Sequence, residues 1–321
     1  MQKYSPKPKF IERMKLLLRD EDDVARFFAV AETTARKAIR VNTLKISVSE
    51  LKKILEEKGW KIRQPFAAHP HIMIIDSQLL PGELGKTLEH VLGYYYIQEI
   101  TSMMPLLALA PAEGEMLLDV CASPGSKTTQ AASLMDNTGT IIANDISIGR
   151  ISILVANLER CGVANTIVTR HAGNELAEKL EKLHFEFDKI LVDAPCSGEG
   201  NIRNSPRTYL EWSEGLLKML SRKQKKLVSS VVPLLKKDGL MIYSTCTHAP
   251  EENEIIVQFL LDQYDMEIVD VRDKLPAELV TRPGIVEWKE ETFHSSMKHA
   301  IRIYHQDNDM EGFFVCGLRK I

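Results

Sequence analysis

The second half of the chain alternates between short apolar runs and amphipathic segments. Runs typical of buried strands lie at 116 to 120, 139 to 144, 165 to 169, 188 to 192 and 239 to 244, and segments with helical spacing lie at 127 to 136, 147 to 160, 174 to 183, 213 to 235 and 251 to 264. This alternation predicts an α/β fold whose doubly wound parallel sheet is covered by helices on both faces. Two later runs, near 266 to 271 and 312 to 319, are expected to close its edge.

The first hundred residues have a different pattern. Helical spacing over 5 to 40 is followed by a strand-like run at 40 to 45, a helix at 47 to 58 capped at Ser47 or Ser49, strands at 60 to 64 and 71 to 76, and a helical bridge over 82 to 110. This order predicts a small α+β, RRM-like domain packed on helices. We therefore expect two domains, over residues 1–105 and 106–321.

Composition narrows the class of protein. The apolar fraction is 44% and the charged fraction 26%, and no apolar run approaches the roughly 20 residues that span a bilayer. Residues 1–7 lack the apolar stretch of a signal peptide, so we expect five reduced thiols in a cytoplasmic protein with no membrane partner. The cysteines and histidines show no zinc spacing, so no metal is expected.

Charge is unevenly distributed. Residues 1–70 carry sixteen Lys and Arg against nine Asp and Glu, a net charge of +7, which leaves −10 for the remainder. A basic first domain suits a polyanionic partner, although a solvated lysine-rich surface would look the same. A second cluster of basic residues follows Cys196, and its first members are expected to meet phosphates at a pocket mouth. The cluster consists of Arg203, Arg207, Lys218, Arg222, Lys223, Lys225 and Lys226.

A loop of small residues follows the first strand of the second half. Over 121 to 127 it reads Cys-Ala-Ser-Pro-Gly-Ser-Lys, which allows backbone N–H groups to approach a polar ligand at a helix start. A phosphate loop would need glycine in place of Ser126 and of Cys121, and the three-glycine dinucleotide fingerprint is absent. After the second strand, Asp145 is placed to bind two ribose hydroxyls.

Two cysteines fifty residues apart are the strongest chemical signal. Cys196, in Asp-Ala-Pro-Cys, and Cys246, in Ser-Thr-Cys, each follow a buried apolar run, so both thiols should emerge at neighbouring strand ends. A thiolate attacks electron-poor carbon better than a hydroxyl does, and the carboxylate of Asp193 could polarise the target. The arrangement indicates covalent catalysis on a flat heterocycle.

Together these motifs resemble the Nop/Sun family of RNA 5-methylcytosine methyltransferases, over nearly the whole chain. The resemblance implies that residues 1–105 form an RNA-binding domain and that residues 106–321 form a Rossmann-like class I methyltransferase domain that uses S-adenosylmethionine. It also implies a set of cofactor-binding residues: Cys121, Ala122, Ser123, Pro124, Gly125, Ser126, Lys127, Asp145, Arg150 and Asp193. The chain departs from the family at Ser126, where glycine is usual, and at Ala172, where an acid commonly contacts adenine.

The resemblance also implies catalytic roles. Cys246 would be the nucleophile that adds to carbon 6 of cytosine, and Cys196 would help to release the enzyme from the methylated product. Asp193 would hydrogen-bond the ring nitrogen and the amino group of the base, as a protonated donor for part of the cycle, and Lys127 would stabilise charge there. A free thiol has a pKa of about 8.5, so activation by positive charge or a helix start is expected.

Three functions stay open at this point. The first is an RNA cytosine methyltransferase, with tRNA preferred over rRNA because long ribosome-docking extensions are lacking, and we expect it to act as a monomer. The second is a DNA cytosine methyltransferase, in which Cys196 would attack and Cys246 would be incidental. The third is a non-catalytic RNA-binding assembly factor, which the presence of Cys246, Asp193 and Lys127 argues against.

Overall fold

The computed structural model describes residues 4–321, so the expectation for the start of the chain lies partly outside the described residues. Two helices come first, α1 (Pro8–Leu18) and α2 (Glu21–Ala31). The first turn of α1 tolerates Pro8 because a backbone N–H at that position would have no partner within the helix. Asp20 caps α2 by accepting a hydrogen bond from the backbone N–H of Asp23 at 2.8 Å.

Both helices pack against the second half of the chain. The ring of Phe10 lies edge-on to Tyr209 and to Trp212, each with centroids 5.4 Å apart. His305 contacts the backbone carbonyl of Phe27 through Nε2 at 2.8 Å. The apolar faces of α1 and α2 thus join the core of the large sheet.

A small antiparallel sheet comes next. Its elements are β1 (Lys37–Val41), α3 (Val48–Glu57), β2 (Ile62–Arg63), β3 (Ile72–Ile75), α4 (Glu83–Lys86), α5 (Leu88–Val91) and β4 (Tyr95–Ile97), with strand order β2-β3-β1-β4. The expectation of a helical bridge over 82 to 110 is wrong, because β4 lies within it and pairs with β1. Ser47 caps α3 through a reciprocal capping box with Glu50.

The two faces of this small sheet are both covered. Ile39 and Val41 face α3, whereas Ile72 and Ile74 belong to the same buried cluster as Met103 and other residues of the second half. RRM domains stack bases on their open sheet face. That face is closed here, so the small domain cannot bind RNA in this way.

Arg40 fixes the packing of the small sheet on the large domain. Its guanidinium is buried and donates to the side chain of Gln98 and to the carbonyl of Ser126, both at 2.7 Å, and to Thr129 at 2.8 Å. Burial lowers the pKa of Arg40 to about 10, so the group stays charged at neutral pH. The small domain is thereby tied to the loop at 121 to 127.

The second half forms the predicted alternation of strands and helices. Its elements are α6 (Met104–Leu109), β5 (Met116–Asp119), α7 (Ser126–Leu134), β6 (Thr140–Asn144), α8 (Ile148–Cys161), β7 (Thr166–Thr169), α9 (Gly173–Lys182), β8 (Phe187–Asp193), α10 (Thr208–Glu211), α11 (Glu214–Val231), β9 (Leu235–Thr245), α12 (Glu254–Gln263), β10 (Met266–Val269), β11 (Arg282–Pro283), β12 (Glu287–Trp288), β13 (Glu291–Thr292), β14 (Ile301–Ile303), α13 (His305–Asn308) and β15 (Phe313–Lys320). Strands β12 and β13 form a separate hairpin.

The large sheet is mixed, which corrects the expectation of a parallel one. The order is β11-β14-β15-β9-β8-β5-β6-β7, and the strands from β7 to β9 are parallel. β15 runs antiparallel to β9 and does not close the edge, since β14 and β10 both pair with its other side. The helix expected to reach 235 ends at Val231, because Pro233 has no N–H to continue it.

The strand order reverses at β5. β6 and β7 lie on one side of β5, and β8 and β9 lie on the other. In doubly wound sheets the crevice at such a reversal, outside the carboxyl strand ends, is the ligand site. Within residues 4–321, no helix is both long and apolar enough to cross a membrane.

Candidate active site

The two cysteine motifs meet at the carboxyl ends of β8 and β9. These strands are parallel neighbours in which Asp193 lies opposite Ser244, so the loops that follow leave the sheet side by side. The Sγ atoms of Cys196 and Cys246 are 3.3 Å apart. The structure thus brings both predicted thiols into one site.

Hydrogen bonds lock the two cysteine loops together. The hydroxyls of Ser197 and Thr247 are 2.8 Å apart, and the N–H of Gly200 donates to the carbonyl of Cys246 at 2.9 Å. The buried carboxyl group of Glu252 accepts from the N–H of Ser197 at 3.0 Å. The distance between the two sulfur atoms is therefore set by a rigid scaffold.

The pair of thiols is asymmetric. The hydrogen bond to Cys246 and then burial raise the pKa of Cys196 well above its ordinary value, so Cys196 retains its proton. A protonated Cys196 can donate its S–H toward the sulfur of Cys246. Because a thiol that keeps its proton is a weak nucleophile, this environment disfavours Cys196 as the attacking thiol.

Asp193 is held at both carboxyl oxygens. Lys127 donates to Oδ2 at 2.7 Å, and the hydroxyl of Ser244 donates to Oδ1 at 2.9 Å. Lys127 also donates to the hydroxyl of Ser102 at 3.0 Å. These contacts fix the orientation of the Asp193 carboxyl group at the carboxyl end of β8.

Cys246, Asp193 and Lys127 open into one cavity of about 290 Å³, here termed the thiol cavity. The Nζ of Lys127 lies 5.3 Å from the ring centroid of Phe313 at its wall. The other lining residues come from several distant segments: Glu99, Thr101, Ser102, Cys121, Ala122, Ser123, Pro124, Ser126, Ala194, Asn201, Glu311 and Phe313. A pocket with a thiol, a cation and carboxyl groups suits a polar planar ring.

A second cavity of about 790 Å³ adjoins it, here termed the strand-end groove. Asp145 follows β6 within it and is almost fully buried. Its Oδ1 accepts from the N–H of Ser147 at 2.9 Å, and Arg150 lies 3.4 Å from Oδ2 while donating to the carbonyl of Ser123. Cys121 lines both cavities, and Ala172 lines the groove at the position expected to face adenine.

The strand-end groove fits S-adenosylmethionine. Asp145 supplies a carboxylate for ribose hydroxyls, and the groove wall is mainly apolar. The hydroxyl of Ser123 in the adjoining thiol cavity is buried without a hydrogen-bond partner, which leaves a donor or acceptor for a ligand there. Cys121, Asp145 and Arg150 therefore contact the groove, as expected for cofactor-binding residues.

The other predicted loop residues divide between two places. Ala122, Ser123, Pro124 and Ser126 line the thiol cavity. Gly125 lines neither cavity: it has a φ of +101°, and a Cβ there would lie 3.0 Å from Leu154, so it permits close packing on α8. Asp193 lines the thiol cavity and not the groove.

The basic cluster is arranged differently from the prediction. Arg203 was expected at a pocket mouth, but its side chain is 1% exposed and pairs with Asp309 at 2.7 Å. Arg207 is exposed and pairs with Glu211 on its own helix. Lys223, Lys225 and Lys226, from the later part of the cluster, are the members that line the strand-end groove.

Sequence reasoning missed several residues of the thiol cavity. Glu99, Glu311 and Phe313 all line it, and Ser102 and Ser244 hold its charged pair. The only local signal was an acid directly before the Gly-Phe-Phe run at 312 to 314. Among the described residues, no group of His, Cys, Asp or Glu is arranged to hold a metal ion.

The sequence matches two family models. The model described as 16S rRNA methyltransferase RsmB/F matches residues 106–319, and the N-terminal domain of 16S rRNA methyltransferase RsmF matches residues 7–100.

Two curated relatives share 39% identity with the chain. Ribosomal RNA small subunit methyltransferase F of Vibrio cholerae serotype O1 (strain M66-2) aligns over 98% of this chain and 64% of its own length. The tRNA (cytosine(49)-C(5))-methyltransferase of Pyrococcus abyssi aligns over 97% of this chain and 96% of its own length. The chain thus spans just under two thirds of the length of the ribosomal RNA relative.

Solved structures have the same fold. A methyltransferase homologue from Pyrococcus horikoshii superposes with a TM-score of 0.80 at 31% identity, covering 98% of this chain and 100% of that one. NSun6 from Pyrococcus horikoshii with SFG has a TM-score of 0.82 over 98% of each chain, and at 24% identity it bears on the fold alone. The predicted Rossmann-like methyltransferase fold is confirmed.

Proposed function

Since the chain belongs to the RsmB/F (Nop/Sun) family of RNA methyltransferases, as its motifs predict, we propose that it methylates carbon 5 of a cytosine in RNA. The observation that carries the proposal is the thiol of Cys246, which lies 3.3 Å from that of Cys196 and lines one cavity with Asp193. This cavity adjoins the groove fitted to S-adenosylmethionine. When bound, S-adenosylmethionine supplies the methyl group as an electrophilic sulfonium.

The thiol of Cys246 is proposed to activate the base. Carbon 5 of cytosine is a weak nucleophile, and addition of a thiolate at carbon 6 makes it enamine-like. Cys196 holds its proton next to Cys246, so its S–H can donate a hydrogen bond to the attacking sulfur. After methyl transfer, solvent takes the proton on carbon 5 and the electrons of that C–H bond restore the double bond between carbons 5 and 6. The bond from carbon 6 to the sulfur of Cys246 breaks in the same step, and the S–H of Cys196 donates a hydrogen bond to the departing thiolate.

Asp193 and Lys127 are proposed to orient the base. With both oxygens already accepting hydrogen bonds, Asp193 is suited to accept a further one from the exocyclic amino group of cytosine. Lys127 fixes Asp193 and adds positive charge to the cavity wall. In the adjoining groove, Asp145 and Arg150 hold the cofactor.

The substrate we propose is tRNA, in a protein that works in the cytoplasm as a monomer. The support is the Pyrococcus abyssi relative: the alignment covers 96% of it, so nearly every part of that protein has a counterpart here. The RsmF relatives, at the same identity, support ribosomal RNA as the second candidate.

Bisulfite sequencing of total RNA from cells with and without the gene tests both candidates. We expect one or more protected tRNA cytosines to be lost with the gene and restored by wild-type protein but not by Cys246→Ala. A lost site in 16S rRNA would favour the second candidate. Unchanged RNA together with lost DNA methylation would favour a DNA enzyme, and no change in either would favour a non-catalytic assembly factor.

A further inference from the structure

Two loops present the thiols, and each of them also carries an acid to which the mechanism above gives no role. The Cys196 loop comprises residues 194–200, after β8, and contains Glu199. The Cys246 loop comprises residues 246–253, between β9 and α12, and contains Glu251. Both acids are therefore close in sequence to a thiol.

Arg13 of α1 lies between these two acids. Its side chain is 5% exposed, and its Nε is 3.9 Å from Oε1 of Glu199. Its Nη1 donates to Oε1 of Glu251 at 3.0 Å, and its Nη2 donates to Oε2 of the same carboxylate. One cation from the first helix thus contacts both cysteine loops.

Two buried tryptophans fix this arrangement. The ring centroid of Trp288 lies 4.9 Å from Cζ of Arg13, and its Nε1 donates to Oε1 of Glu251 at 3.1 Å. The Nε1 of Trp212 donates to Oε1 of Glu199 at 2.6 Å. A planar group that stacks on an aromatic ring and binds both oxygens of a carboxylate is a guanidinium and not an ammonium. The surroundings therefore suit arginine in particular.

The charge of Arg13 opposes a repulsion between the two loops. Burial raises the pKa of Glu199, and the charge of Glu251 acts in the same direction, whereas the charge of Arg13 opposes both. Burial also acts to raise the pKa of Glu251, but the hydrogen bonds and charge of Arg13 outweigh it and lower that pKa. Without the guanidinium, two acids on different loops would face each other with no cation between them.

The position of each loop determines where its thiol lies. The second acid of the Cys246 loop, Glu252, accepts from the N–H of Ser197 at 3.0 Å, and the hydroxyl of Ser197 is 2.8 Å from that of Thr247. Ser197 and Thr247 directly follow the two cysteines. A relative shift of the loops would therefore change the distance of 3.3 Å between the sulfur atoms.

Release of the product depends on this distance more than addition does. Addition to carbon 6 needs the base and Cys246, whereas release also needs the S–H of Cys196 beside the departing sulfur. We propose, on the basis of the function proposed above, that Arg13 is a positioning residue, which holds the two cysteine loops together so that Cys196 reaches Cys246 during release. Loss of the guanidinium should then slow release more than addition.

The test measures turnover and covalent adduct for Arg13→Gln on a synthetic RNA that carries the cytosine identified by bisulfite sequencing. Glutamine is polar but uncharged, so the loops should separate and the adduct should accumulate as a slow band on a denaturing gel. The kcat should fall about 10- to 100-fold, the range of coupling within a shared charge network, with an unchanged KM for S-adenosylmethionine.

Two control variants distinguish positioning from a general loss of stability. Leu18→Ala removes buried apolar volume from the same helix. Arg26→Gln removes an arginine on α2 whose partner, Asp23, belongs to neither cysteine loop. A protein that is only less stable forms less adduct, so neither control should accumulate it. Accumulation in either control would overturn the proposal.

Arg13→Lys makes the same test with a smaller change. Lysine keeps a positive charge between the acids but cannot bind both oxygens of Glu251 in the same plane, so less adduct should accumulate than in Arg13→Gln. This variant decides the matter if Arg13→Gln does not fold. Release from Arg13→Lys as fast as from wild-type protein would then overturn the proposal.

Failure of this role differs from failure of the proposed function. A wild-type protein that methylates no cytosine, with no adduct in Cys196→Ala, would overturn the proposed function and the role of Arg13 with it. If Cys196→Ala accumulates the adduct but Arg13→Gln turns over normally, or turns over slowly without an adduct, only the role of Arg13 is overturned.

Discussion

The thiol cavity and the strand-end groove share one edge of the sheet and one residue, Cys121, but they are built differently. The groove is formed mainly by consecutive strand ends and helix α11, and Asp145 with Arg150 supplies its main polar contact. The thiol cavity draws on segments as distant as Glu99 and Phe313 and concentrates charge in a small space.

This difference indicates a division of labour. A broad groove with a mainly apolar surface binds and orients a ligand, whereas a small cavity that holds an ion pair and the thiol of Cys246 changes reactivity. We therefore expect substitutions in the thiol cavity to reduce turnover and substitutions in the groove to weaken cofactor binding. A single substitution that reduced turnover and also weakened cofactor binding would contradict this division.

The largest effect is expected at Cys246. Replacing Cys246 with Ala removes the nucleophile and should reduce methyl transfer by at least about 10⁴-fold, as loss of a nucleophile does in other covalent enzymes. Binding of S-adenosylmethionine, measured by equilibrium dialysis, should be unchanged. Cys316→Ala, at a buried cysteine that lines neither cavity, is a matched control for loss of a thiol. Retained turnover in Cys246→Ala would remove Cys246 from the nucleophile role.

Substitution of Cys196 should show which of the two thiols acts first. Cys196→Ala should still add Cys246 to the base but release it slowly, so a covalent complex with RNA should accumulate as a slow band on a denaturing gel. Its turnover should fall strongly because enzyme is trapped, and the double variant should show no band. An adduct in Cys246→Ala but not in Cys196→Ala would instead support attack by Cys196.

The two cavities also differ in how many of their residues could be predicted from the sequence. The loop at 121 to 127, Asp145 and the two cysteines each follow an apolar strand run, so periodicity places them at one edge of the sheet. Glu311 and Glu99 follow no such run and reach the cavity only through the packing of distant loops. Their proximity depends on contacts such as that between Gly200 and Gly312, which no local pattern reveals.

The fold shows the same limit. The long alternating elements of the second half were predicted within a few residues, because each buries a periodic apolar face. Strand β4 was missed since its three residues lie between short helices, and β14 is equally short. The burial of the small sheet against α6 depends on tertiary packing, so the RRM-like order of its elements did not show which faces of the sheet would be covered.

In the strand-end groove, Asp145→Ala should act on binding. Loss of hydrogen bonds between a carboxylate and two ribose hydroxyls should weaken S-adenosylmethionine about 100-fold. The turnover number at saturating cofactor should change little, because Asp145 does not line the thiol cavity. Glu159→Ala, an exposed acid on α8, is the control. Unchanged affinity by dialysis would rule out the ribose contact.

The smallest effect, and the finest test of the division, is expected at Ser244. This fully buried hydroxyl touches neither proposed ligand and acts on the reaction only through its 2.9 Å hydrogen bond to Oδ1 of Asp193. Ser244→Ala removes one hydrogen-bond donor from that oxygen and lets the carboxylate rotate about its contact with Lys127. Turnover should therefore fall about tenfold, which is the equivalent of one hydrogen bond to a charged group. Ser152→Ala on α8, where the hydroxyl bonds only a helix carbonyl, controls for loss of a serine. Steady-state kinetics that show a raised KM for S-adenosylmethionine with unchanged kcat would contradict the assignment, because Asp193 would then serve the groove and not the thiol cavity.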